Sequence, residues 1–121
     1  MSNIKCVFVS APFTGTPFEQ EYREVVITRY IGHLMRKGIQ AYSPVTFGCA
    51  VAFVSPLPVD YAFWEDHCKF FVDACTEVHV LMLDGWNQSN GVAGELREAS
   101  KLGKIVHFIK PDFTEEINHG R

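Results

Sequence analysis

No run of apolar residues in this 121-residue chain approaches the length needed to cross a bilayer, and no charged segment followed by an apolar core opens it. A membrane partner is therefore not expected, and the sequence reads as a cytoplasmic protein. Positive charge is also short. Eleven Lys and Arg stand against 14 Asp and Glu, for a net charge of −3, and the basic residues are scattered. That argues against duplex nucleic acid as a partner. The four cysteines, Cys6, Cys49, Cys68 and Cys75, form no C-x-x-C pair, so reduced buried thiols are expected rather than disulfides. His33, His67, His79, His107 and His119 stand at no mutual metal-ligand spacing. Neither a metal nor an organic cofactor is expected. Linkers and repeats are missing as well, which leaves one domain over residues 1–121.

What is present alternates between strand and helix signals. Ile4–Ser10 is a short apolar, β-branched run entering the loop "APFTGTP". Thr16 is placed to N-cap a helix, with Pro17 at its first position and Glu19 closing a capping box. Val26, Ile27, Tyr30, Ile31 and Leu34 make its apolar side, and Gly38 stops it. Ile39–Ser43 reads as a second strand. The stretch 44–59, "PVTFGCAVAFVSPLPV", has three prolines and no clean period, so a long, partly apolar loop acting as a substrate lid is expected there. Asp60 can cap a helix carrying Tyr61, Trp64, Cys68, Phe71, Val72 and Cys75 at helical spacing. Val78–Leu83 and Lys104–Ile109 supply two further strands. Residues 111–121 look like a short exposed tail able to reach a neighbouring subunit. The alternation predicts an α/β fold, a flavodoxin/Rossmann-like three-layer sandwich with a small parallel sheet. Ligands bind such sheets at the carboxyl ends of the strands, where loops 10–16 and 84–91 would lie.

The last predicted helix carries an anomaly. At about 100° per residue, Val92, Leu96, Ala99, Leu102 and Gly103 share one face, and Glu95 falls inside that arc while Arg97, Glu98 and Lys101 fall outside it. The carboxylate thus points inward, near a first turn whose dipole favours the ionised form. It is either a buried-edge glutamate bonded to loop amides or a nucleophile or base beside Ser89, Asn90 and Gly91, which could bind hydroxyl or phosphate oxygens.

The motifs "VFVSAPFTG", "DYAFW", "LMLDGW" and "SNGVAGELREASKLGK" resemble the nucleoside 2-deoxyribosyltransferase-like superfamily, most of all its small DUF1937 branch. The resemblance spans roughly residues 4–109 and implies cleavage or transfer at the N-glycosidic bond of a 2′-deoxynucleoside or its 5′-monophosphate. It makes Glu95 the nucleophile and sets Pro12 or Phe13 against the base. Ser10 and Thr14 would lie near the sugar or phosphate, with Gly91 under the phosphate. Ser89 matches a position that is Ser in the monophosphate hydrolases and Asp in the transferases, which favours a phosphorylated substrate. A helix aspartate common in the superfamily is replaced here by Cys68, and Glu65, one turn earlier, could reach the same side. Trp64 could line the cleft. The resemblance also implies a homodimer or higher homo-oligomer, and the Cys68 replacement leaves a catalytically weak nucleotide-binding module as the alternative.

Overall fold

The computed structural model describes residues 4–116, so His119 and the end of the tail lie outside it. Four parallel strands form one sheet: β1 (Cys6–Ser10), β2 (Gln40–Tyr42), β3 (Glu77–Leu81) and β4 (Ile105–Ile109), in the order β2-β1-β3-β4. Four helices cover it: α1 (Pro17–Arg36), α2 (Pro44–Val54), α3 (Tyr61–Ala74) and α4 (Asn90–Lys101). The result is a three-layer Rossmann-like sandwich.

The strands are continuous in apolar character because they are buried on both sides. Val7, Val9, Leu81 and Ile109 face Ile27, Tyr30 and Leu34 of α1. Phe8, Val78 and Val80 face Cys68 and Val72 of α3 and Val92 and Ala99 of α4. Each fully buried Val, Leu or Phe contributes roughly 1.5–3 kcal/mol, so this double burial drives the assembly. The predicted cap of α1 forms in both directions: Thr16 Oγ1 accepts from the Glu19 amide at 3.2 Å, and Glu19 Oε1 accepts from the Thr16 amide at 2.8 Å.

One sequence expectation fails. Residues 44–54 are not a lid loop but helix α2, leaving only the short connection 55–60 irregular. Ser43 caps it by accepting from the Val45 and Thr46 amides at 3.0 and 3.2 Å, and Pro44 occupies its first position, where a missing N–H costs nothing. The absent period has a physical cause: α2 carries no charged residue, so it shows no polar face, and Phe53 and Val54 point outward at 92% and 83% exposure. The described part of the tail, residues 111–116, is mostly exposed, as the sequence suggests, and it folds back on the sheet. Glu115 bridges Ile109 in antiparallel sense, and Phe113 packs on Tyr30 with ring centroids 5.0 Å apart.

From β1 the chain moves outward on one side to β2 and then crosses to the other side of β1 to form β3. That reversal opens a crevice between the carboxyl ends of β1 and β3, where an open parallel sheet presents its loops to a ligand.

Candidate functional site

A cleft of about 580 Å³ occupies that crevice. The β1–α1 loop contributes Pro12, Phe13 and Thr14, the start of α4 contributes Ser89, Asn90, Gly91 and Glu95, and α3 contributes Tyr61, Trp64 and Cys68. Gly48, Cys49 and Ala52 of α2 close another side. Phe13 is half-buried, belongs to neither apolar cluster among the described residues, and lines the cleft. Trp64 is pinned by its indole N–H, which donates to the Pro58 carbonyl at 2.9 Å.

Glu95 lies at the floor, 6% exposed, on the second turn of α4. Ser10, the last residue of β1 and fully buried, donates its hydroxyl to Glu95 Oε1 at 2.5 Å. The Cys68 thiol supplies a second hydrogen bond. Both partners are neutral. Burial therefore dominates and pushes the Glu95 carboxyl up to about 7, with the Ser10 and Cys68 bonds opposing that rise only in part. The dipole argument from sequence is outweighed, because Glu95 sits beyond the first turn and its desolvation is nearly complete. Burial likewise raises the Cys68 thiol far above its ordinary value, so it acts as a neutral donor. The Tyr61 hydroxyl is pushed up to about 12, first by burial and then by Glu95.

At the rim, Ser89 N-caps α4, accepting from the Val92 amide at 3.2 Å. Its hydroxyl proton remains available to a ligand oxygen. Beside it the Asn90 and Gly91 amides belong to the first turn of a 12-residue helix, an arrangement suited to an anion.

The structure brings nine of the ten sequence-predicted residues into or directly beneath the cleft and leaves one out. Glu65 does not reach it: its carboxylate pairs with Lys69 at 3.0 Å, one turn on, over a separate surface depression. At 100° per residue, three positions before Cys68 lies toward the flank of α3, and a lysine four positions on holds the charge there.

Among the cleft residues that the sequence did not point to, Arg23 and Tyr61 stand out. Arg23 donates from Nη1 to the Thr14 carbonyl at 2.5 Å and from Nη2 to the Asp84 carbonyl at 2.9 Å, tying together the loops after β1 and β3. Nothing local marks it, since its partner is 61 residues away. Tyr61 had a signal: Gly91 and Gly94 recur at one-turn spacing on α4. A Cβ at Gly94 would stand 2.4 Å from the Tyr61 hydroxyl, so the ring needs that glycine.

At the amino end of the sheet, Glu77, His79 and His107 place their ligand-type atoms within 4.8 Å of one another. The sequence shows no metal-ligand spacing between the two histidines. Their convergence arises from register, because His79 pairs with His107 across β3 and β4.

Among the described residues no helix is long and apolar enough to cross a membrane. A family described as "Domain of unknown function (DUF1937)" matches residues 5–110. No curated protein matches the chain.

Proposed function

This chain belongs to the DUF1937 family, and from that premise and the cleft geometry we propose that it cleaves or transfers the N-glycosidic bond of a 2′-deoxynucleoside or its 5′-monophosphate, with Glu95 as nucleophile. The same reading places the family within the nucleoside 2-deoxyribosyltransferase-like superfamily. The observation that carries it is Glu95 itself: a buried carboxylate held only by the neutral donors Ser10 and Cys68, facing a cleft of nucleotide-compatible size.

Ser10 holds Glu95 Oε1, and the Glu95 carboxylate attacks C1′. The bond from C1′ to the base nitrogen breaks with its electron pair going to the base, which takes up a proton and departs. The oxocarbenium-like charge on the sugar is stabilised by the carboxylate and collapses onto it as a glycosyl ester. Water then gives hydrolysis, and a second base gives transfer. Phe13 and Trp64 offer faces for the base, while Ser89, the Asn90 and Gly91 amides and the Arg23 guanidinium suit a 5′-phosphate.

A second reading is favoured by Cys68. Where a carboxylate could accept from a sugar hydroxyl, this thiol is neutral and already committed to Glu95. A nucleotide-binding module with little turnover follows from that.

The test is chromatographic: the protein is incubated with each deoxynucleoside and deoxynucleoside monophosphate, with and without a second free base. Released or exchanged base supports the glycosidic enzyme. Ligand-induced thermal stabilisation without release supports the binding module, and the absence of both release and stabilisation would remove any nucleotide role.

A further inference from the structure

We propose that Glu77, His79 and His107 form a binding site for a divalent metal ion of the zinc class, remote from the Glu95 cleft. None of the three lines that cleft, and Glu77 begins β3 at the amino edge of the sheet. The proposal does not depend on the glycosidic reading.

The first argument is convergence. Glu77 Oε1 lies 2.7 Å from His79 Nε2 and 3.5 Å from His107 Nε2, all on the sheet face that carries α1. Two ligands of a tetrahedral zinc are about 3.3 Å apart, so one distance already fits and the other must open by several tenths of an ångström. Two imidazoles and one carboxylate make a three-ligand set with an open position, and nitrogen-rich sets of this kind select borderline cations over magnesium or calcium.

The second argument is independent and concerns the far nitrogens. His107 Nδ1 meets Glu115 Oε2 at 2.6 Å, and His79 Nδ1 meets the Tyr30 hydroxyl at 2.7 Å. Metal-bound histidines are held in this way, the outer N–H given to a carboxylate or another oxygen while the inner nitrogen turns to the ion. With Nδ1 turned to Glu115, His107 presents Nε2 to the Glu77 carboxylate at 3.5 Å, the side on which an ion would sit. Tyr30 can donate or accept, so His79 can move its proton from Nε2 to Nδ1 and free Nε2 for the ion without losing a partner. Lys5, half-exposed and 3.5 Å from the other Glu77 oxygen, can swing to solvent as the ion enters.

Such an ion would clip β3 to β4 and, through Glu115, fix the segment that folds back on β4.

The full chain, stripped with chelator, is titrated with zinc and with cobalt alone. One equivalent of cobalt is expected to give visible bands of nitrogen and oxygen ligation without a thiolate charge-transfer band, and zinc is expected to raise the melting temperature where magnesium does not. His107→Gln and Glu77→Gln should each abolish the cobalt bands. Glu115→Gln, which alters only the outer partner, should weaken binding by roughly 10-fold or more while the fold persists. Three outcomes would overturn the site: no cobalt or zinc uptake by the unaltered protein, a thiolate band that disappears in Cys75→Ser, or cobalt affinity unchanged in a folded His107→Gln variant.

Discussion

Two glutamates are buried at opposite ends of this sheet, and their surroundings treat them in opposite ways. Glu77 is 8% exposed at the amino edge and Glu95 is 6% exposed at the carboxyl edge. Desolvation raises both. At Glu77 it is overcome by His79, Lys5 and His107, which hold the carboxyl below its ordinary value. At Glu95 only a hydroxyl and a thiol oppose it, and the carboxyl rises. Burial alone therefore does not separate the two carboxylates; the presence or absence of a compensating cation does. Glu77 is ion-paired, whereas Glu95 is left without an opposing charge, as the proposed nucleophile requires.

The largest expected effect breaks the comparison at the reactive end. Glu95→Ala should reduce base release by roughly 10³-fold or more, as loss of a nucleophile does, while Glu77→Ala in a folded protein should leave release within a few-fold. Chromatography of the two variants side by side decides it.

Stability should move the other way. The Glu95 carboxyl is raised from an unfolded value near 4.5 to about 7, so between those pH values the folded state holds the proton that the unfolded state has released. Folding stability then falls as pH rises through this window, and above it the ionised group costs about 3 kcal/mol. Glu95→Gln removes that cost. Its melting temperature should exceed that of the unaltered protein at pH 8 and match it near pH 4, as read by thermal denaturation at both values.

Glu77→Gln should instead destabilise, by about 1–2 kcal/mol at pH 7 in chelator, because His79 and Lys5 lose a charged partner. Denaturant melts would show it. The smallest effect sharpens the account of Glu95: Ser10→Ala deletes the donor that lowers its pKa, so the acid limb of the pH–rate profile should move up by about one unit.

Much of this was legible in the sequence because it is local. The Thr16 capping box, the apolar face of α1 and the inward direction of Glu95 each depend on spacing within one helix, and the structure carries all three. The strand-to-helix alternation likewise predicted the parallel sheet. Helix α2 was misread because it has no polar face to generate a period, so its three prolines looked like a loop when one opens the helix and two follow it. The misses at the sites are non-local. Arg23 reaches a carbonyl 61 residues away, and His79 meets His107 only through strand register, which a single sequence does not encode in any spacing rule.

In the proposed reaction Glu95 forms a covalent bond to the sugar. Intact-mass and peptide analysis of the protein, acid-quenched during incubation with a deoxynucleoside monophosphate, tests it directly. A deoxyribosyl phosphate adduct is expected on the peptide containing Glu95 and absent from Glu95→Gln. Base release that proceeds with no such adduct, and survives in Glu95→Gln, would contradict it.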